Sequence, residues 1–245
     1  MNYREYHFSK TELAVNIMIG IAITALTAWA FYRSFIAFFL MLPLVYFYIK
    51  FKRKSCIEKR KRELSIEFRE AILSVQSALN AGYSVENAFV EAAHDMEQMY
   101  GSDAYISIEL KVMMRRLRSN ESLEKILNDL GERSGIDDIR EFAGIFSVAK
   151  RSGGNMNGII NRAVRMIGDK MEVSREIETV ISAKKYESRI MDIVPFGIVI
   201  YSSLSSPDIS EVLYHNLRGN IIMTACIIVY AAALIISEKI VDIEV

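Results

Sequence analysis

NMNGIINRAVRMIGDKMEVSREIETVISAKKYESR, residues 155–189, is followed without a break by IMDIVPFGIVIYSSLSS, residues 190–206. In the first part Ile160, Ala163, Val164, Ile167, Met171, Ile177 and Ile181 recur at helical spacing, with polar and charged residues on the other faces. That pattern describes a helix packing one apolar stripe against neighbours in water. Beyond Arg189 the residues turn apolar on nearly every side, the pattern of a helix in an apolar solvent. One continuous helix over this stretch would be roughly 75 Å long at about 1.5 Å per residue. That is too long for one globular core and long enough to join a helical bundle to a bilayer. Pro195 need not end it, because neighbouring helices can satisfy a carbonyl freed within a membrane.

Working outward, the rest of the chain divides the same way. Hydrophobic residues make up 51% and charged residues 24% of the 245 positions, an average that arises when apolar spans are joined to a polar domain. Residues 13–31 are apolar for about the length of a bilayer crossing, and residues 35–49 form a shorter, aromatic-rich second span. Trp29, Tyr32, Tyr46 and Tyr48 fall near the span ends, where amphipathic rings favour the interface. KFKRKSCIEKRKR, residues 50–62, then carries eight Lys or Arg and one acid. Because it abuts a span, it reads as a positive-inside cytoplasmic anchor rather than an anionic-lipid or nucleic-acid patch. A third span at about 190–206 and a fourth at 221–237 enclose a short outside loop, PDISEVLYHNLRGN.

The expected fold is therefore all-α: a multi-pass membrane protein with four transmembrane helices in two hairpins flanking a cytoplasmic antiparallel helical bundle. The expected divisions are a tail at 1–12, hairpin 1 at 13–49, the bundle at 50–189, hairpin 2 at 190–237 and a tail at 238–245, with both termini cytoplasmic. Within the bundle about six helices are expected. Leu64, Phe68, Ile72, Val75 and Leu79 form one stripe, closed at Ala81-Gly82. Ser84 stands ready to cap a helix over Val85–Tyr100, and Ser122 repeats that cap before the helix ending near Arg133. Ser134-Gly135 and Ser152-Gly153-Gly154 read as further breaks.

Chemistry-bearing motifs are sparse. RSGGNMNG lacks the Lys-Ser/Thr that a phosphate-binding loop needs, and its Gly153-Gly154 pair reads instead as a hinge between helices. His7, His94 and His215 are scattered, while Cys56 and Cys226 make neither a metal-ligand spacing nor a disulfide framework. His94 and Asp95, adjacent on a helix, point to different faces and form no dyad. The acidic stretch around Asp137 and Asp138 reads as a solvated helix face. No cofactor, metal or catalytic site is expected. The basic cluster Arg115, Arg116 and Arg118 is the candidate docking patch for an acidic partner. Pro195, Ser202 and Ser203 are candidates for helix packing within the membrane.

Phe68 through LNAGYSVENAF, Phe142 through AKRSGGNMNGII, the long helix into AKKYESRIMDIVP, and the closing SEKIVDIEV appear in that order between two apolar hairpins. In this the chain resembles the bacterial type II secretion F-domain family, in particular the platform proteins of tight-adherence (Tad) pili, TadB and TadC, over about residue 64 to the end. Lys185-Tyr186 departs from the small residue and Arg that many relatives carry there. The resemblance implies a non-enzymatic, oligomeric platform in the bacterial inner membrane. Its implied partners are a cytoplasmic secretion or pilus ATPase, a related platform protein, pilin subunits and the lipid bilayer, and no nucleic acid. The alternative is a membrane-anchored helical signalling or sensor protein, though the chain shows neither a large outside domain nor an output motif.

Overall fold

In the computed structural model, which describes residues 3, 5–6, 8–32, 38–39, 41–151, 156–205 and 217–241, every regular element is an α-helix and no strand occurs among the described residues. The helices are α1 (Lys10–Tyr32), α2 (Pro43–Asn80), α3 (Val85–Tyr100), α4 (Tyr105–Arg118), α5 (Leu123–Ser134), α6 (Asp137–Arg151), α7 (Met156–Ser205) and α8 (Leu217–Val241). The chain separates into two compact units. One comprises Met1–His7 and Arg53–Glu172; the other comprises Phe8–Lys52 and Val173–Val245.

The first unit is a bundle in which six helices take part among the described residues: most of α2, all of α3 to α6, and the start of α7. Sequence neighbours pack on one another, α3 on α4, α4 on α5 and α5 on α6, through connections of four residues or fewer. The expected α2 stripe of Leu64, Phe68, Ile72, Val75 and Leu79 is buried along its whole length. It meets Phe89 and Met96 of α3, Leu110 of α4, Leu127 of α5, Phe142 and Phe146 of α6, and Ile160 and Ile167 of α7. At the centre Phe68 and Phe142 meet edge to face at 5.5 Å, while Phe142 stacks on Phe146 at 6.2 Å. Such pairs add about 0.5–1.5 kcal/mol each beyond the area they bury.

Local sequence accounts for most of the boundaries. Ser84 is extended, and its hydroxyl accepts from the amide of Asn87 at 3.4 Å, an N-cap for α3. Gly135 closes α5 in the left-handed conformation at φ 61°, where a side chain would be strained. Ser122 has cap backbone geometry, but its side chain makes no cap bond. The start of α4 has no local side-chain cap either. There the amide of Ile106 donates instead to Glu67 of α2 at 2.8 Å, a cap brought from 39 positions away. Asp138, expected on a solvated face, instead accepts from Ser65 of α2 at 3.2 Å and Lys170 of α7 at 2.7 Å. An acid in the first turn of α6 also suits the helix dipole.

The second unit contains α1, the first turns of α2, most of α7, and α8. Residues 10–29 of α1 are long and apolar enough to cross a membrane, and 221–233 form a shorter apolar helix segment. Only 17% of the α1 segment is buried, unlike the core helix of a soluble bundle. Gly20 lets α1 approach α2 closely, since a Cβ there would lie 3.0 Å from Val45. Phe31 of α1 meets Phe196 of α7 at 5.5 Å, and Phe196 meets Tyr230 of α8 at 5.6 Å. Helix α7 passes through Pro195 unbroken, and the Tyr230 hydroxyl donates to the carbonyl of Asp192 in the turn that the proline disturbs. The long helix read from the sequence is thus one element of 50 residues. The basic run at 50–62 is likewise interior to a single helix of 38 residues, α2. Helix α8 begins at Leu217, inside the stretch expected to be an outside loop.

Candidate functional site

The last turn of α4 carries Arg115, Arg116 and Arg118, nearby positions that a helix fans out to different directions. The structure divides them. Arg115 and Arg118 are exposed, whereas Arg116 turns onto the neighbouring segment. Its Nε and Nη2 each donate to Glu121 at 2.7 Å, and its Nη1 donates to Asp129 of α5. A guanidinium held by two carboxylates is a structural clasp. The docking patch read from the sequence therefore reduces to Arg115 and Arg118. Nothing in the local spacing announces this, because Asp129 lies 13 positions away.

From Asp129 the charges continue inward with alternating sign. Arg133, one turn further along α5, donates through Nε to Asp129 at 2.9 Å and through Nη2 to Glu109 of α4 at 2.9 Å. The Glu109 side chain is only 2% exposed. Burying a carboxylate is costly unless it is paired and its lone pairs are filled. Here Arg133 supplies the charge, and the hydroxyl of Tyr3 donates to Oε1 at 3.0 Å. Tyr3, in the stretch read from the sequence as a tail, is wholly buried, and its amide donates to the carbonyl of Arg133 at 3.4 Å.

Arg60 of α2 completes the cluster. Its guanidinium lies over the rings of Tyr3 at 6.0 Å, Tyr6 at 5.1 Å and Tyr105 at 5.3 Å, within cation–π range. Its Nε is buried without a hydrogen-bond acceptor among the described residues. The electrostatics follow from this packing. Burial, then the charge of Glu109, pushes the Tyr3 phenol well above its usual value, so it stays a donor. The hydrogen bond to Glu109 raises Arg133, and the bond to Glu121 raises Arg116, so both remain cations. Desolvation pushes Asp129 up, but the bonds from Arg116 and Arg133 outweigh it and hold the carboxyl below its usual range.

The remaining sequence candidates are dispersed. Gly153 and Gly154 lie outside the described residues. Pro195 is half-buried in α7 and Ser202 is exposed on the same helix; Ser203 shares that helix, and its side chain lies outside those described. His94 bonds Gln98 of its own helix, while Asp95 accepts from Ser74 of α2, so the two face different partners. Among the described residues no group of three or more His, Cys, Asp or Glu could hold a metal ion. A cleft of about 210 Å³ in the second unit lies beside Gly20, Thr24, Thr27, Val45 and Tyr48. Its threonine hydroxyls already donate to carbonyls of their own helix, which leaves the lining apolar in effect. The groups brought together by the fold are thus Tyr3, Arg60, Glu109 and Arg133. The sequence hints at them only through the aromatic pair Tyr3 and Tyr6 in an otherwise polar segment. No family model matches the chain, and neither curated proteins nor solved structures yield a match.

Proposed function

We propose that this chain is an inner-membrane platform protein of a type II secretion or tight-adherence pilus machine, coupling a cytoplasmic ATPase to pilin assembly. In this reading α1, residues 35–49, residues 190–206 and residues 221–237 cross the membrane as two hairpins, and the bundle faces the cytoplasm. The observation that carries it is the continuity of α2 and α7, each of which runs unbroken from an apolar stretch into the bundle. A helix without a break transmits displacement; a flexible linker would absorb it.

Two further observations support the topology. Tyr3 packs in the same unit as residues from Arg53 onward, so the two ends of the segment 8–52 belong to one face of any membrane it enters. An even number of crossings, a hairpin, satisfies this. The exposed cations of the basic run then lie where the positive-inside rule puts them. The family resemblance supplies the partners: the ATPase, a related platform protein, pilin subunits and further copies of the chain. The protein itself is read as non-enzymatic.

The test uses the stiffness of α7. Glu176 is exposed on it. Glu176→Pro removes a backbone donor and clashes with the preceding turn, at about 3 kcal/mol or more, whereas Glu176→Ala preserves helix propensity. In the native host the proline variant is expected to insert and to retain its ATPase in a pull-down, yet assemble no filaments. The alanine variant is expected to assemble them normally. A proline variant that is present, binds and still builds filaments would refute rigid coupling. Reporters fused after Lys61, at Arg151 and at the C-terminus should read cytoplasm, and one at Tyr214 should read outside. An outside signal at Arg151 overturns the topology. Purified alone, the protein is expected to hydrolyse no nucleotide.

A further inference from the structure

We propose that hairpin 1 holds one anionic phospholipid, with its phosphate at Lys10 and Lys52 and an acyl chain in the cleft between α1 and α2. The site lies wholly in the second unit, within Phe8–Lys52. It rests on the reading that hairpin 1 crosses the membrane, and not on the machine the protein serves.

The cleft begins where the two helices touch. At Gly20 they approach so closely that a Cβ would lie 3.0 Å from Val45 and 3.4 Å from Tyr48. Beyond that contact the cleft of about 210 Å³ extends to Thr27 and Met41. Gly20, Thr24 and Val45 form its buried floor, while Ile23 and Leu44 stand half exposed at its rim. The hydroxyls of Thr24 and Thr27 donate to carbonyls of their own helix, so an occupant meets apolar surface only. That suits a hydrocarbon chain and penalises a polar solute.

Charge selects which hydrocarbon chain. Thr27, Thr24, Gly20, Ile17, Leu13 and Lys10 follow one another at spacings of three or four, one face of α1. Val45, Tyr48 and Lys52 do the same on α2. Both stripes that line the cleft thus end, on the cytoplasmic side, in an exposed lysine. Neither lysine has an ion pair among the described residues. Glu12, the acid nearest Lys10 in sequence, accepts from the Ser9 amide at 2.9 Å at the start of α1.

The depth matches as well. Lys52 stands about 12 Å along α2 from Leu44, and Lys10 about 15 Å along α1 from Gly20, at about 1.5 Å per residue. One leaflet's hydrocarbon layer is about 15 Å deep, half of a core of about 30 Å. A phosphate at the lysines therefore brings its acyl chain to the level of the cleft. Other cations of the basic run are out of register. Lys50 lies on a different face of α2 from Lys52, and Lys54 pairs with Glu58 at 3.4 Å. These remain the positive-inside anchor, and Lys52 is the residue of the run that serves the site.

The experiment uses the full chain in micelles of a non-ionic detergent. The probe is phosphatidylglycerol carrying a diazirine on one acyl chain, and mass spectrometry locates the photolabelled residues. The expected label falls on residues 20–27 and 41–48. Unlabelled phosphatidylglycerol should displace it at a concentration at least about tenfold lower than phosphatidylcholine, the scale expected of two lysines at a membrane surface. The double variant Lys10→Gln, Lys52→Gln should narrow that preference to within about twofold, whereas Lys50→Gln should keep it. Thr27→Phe, which fills the cleft, should cut the label by about tenfold while the lysine variants keep their insertion. Four results would overturn the site: label spread evenly over the outward faces of the second unit, no preference for the anionic lipid, loss of preference in Lys50→Gln equal to that in Lys52→Gln, or full labelling of Thr27→Phe. Each leaves the membrane reading standing. A chain that alkaline carbonate strips from native membranes would sink that reading and the site together.

Discussion

The two units are built from the same apolar residues and dispose of them in opposite ways. In the bundle Phe68, Phe89, Phe142 and Phe146 are 2% exposed or less, each locked among neighbours from other helices. In the second unit Ile193 of α7 and Val229 of α8 each stand 69% exposed, and Ile19 of α1 stands 43% exposed. A scattered exposed Leu or Ile means little, but here apolar side chains recur on the outer faces of several helices, which on the proposed reading face lipid. What differs is the angular pattern. A stripe on one face buries itself against other stripes, whereas an all-round apolar helix leaves most of its surface for the solvent to cover. The lesson is that side-chain arrangement around the axis, more than hydrophobicity itself, tells where a helix lives.

The comparison breaks most sharply in the core. Phe142→Ala removes a ring packed on both Phe68 and Phe146 and is expected to cost about 3–5 kcal/mol in urea unfolding of the bundle. Ile193→Ala in the second unit should change that measurement by less than about 0.5 kcal/mol. Equal effects would mean that the outward faces of α7 are a hidden protein core.

Charge probes the same contrast from the side of the solvent. Ile19→Arg near the middle of α1 is expected to disfavour insertion by about 2.5–3.5 kcal/mol in a glycosylation-reporter insertion assay. Val148→Arg, at a bundle residue 68% exposed, should leave bundle stability within about 0.5 kcal/mol. If α1 carrying the arginine inserts as well as the parent, the outward apolar faces are not lipid-facing.

Glycine substitution sharpens the difference in packing. In Gly131→Ala the new Cβ would lie 3.0 Å from Arg140 Cα, backbone of α6 that cannot swing aside. The expected cost is about 1–3 kcal/mol. Gly197→Ala in α7 meets nothing within 4 Å and should leave thermal stability unchanged or gain up to about 1 kcal/mol from helix propensity.

The smallest effect concerns the clasp at the bundle surface. Asp129 and Glu121 are both held below their usual values, Asp129 by its arginine bonds against desolvation and Glu121 first by its bond to Arg116. Their contribution to stability is therefore complete above the unfolded values, about pH 4, and is lost as pH falls through the depressed folded values. Arg116→Gln should flatten the urea midpoint between about pH 5 and pH 2 relative to the parent. A parallel slope in both proteins would show that the clasp carries no linked protons.

The extent to which the sequence could be read follows the distance between partners. The α2 stripe, the Ser84 cap and the left-handed Gly135 are matters of neighbours three or four positions apart, and each emerged where periodicity and turn chemistry put it. Ser122 was expected to cap like Ser84, yet a shared local pattern was not enough to bring its hydroxyl to a donor. Arg116 read as one of three free cations because its acceptor Asp129 is on another helix. Asp138 read as solvated for the same reason, its partners being Ser65 and Lys170.

By itself, then, the sequence determined the all-helical class, the positions of most bundle helices, and the change from one-sided to all-round apolar patterning along α7. These depend on torsional preference and on spacing around one axis, which a chain carries locally. Only the tertiary structure decided that Glu67 caps α4 from 39 residues away, that Arg116 is clasped, and that Tyr3 donates to Glu109 across 106 positions. Such contacts depend on which faces of separate helices meet once the core has closed. A buried polar group takes whichever partner the packing brings within about 3 Å, and linear order places no constraint on that choice.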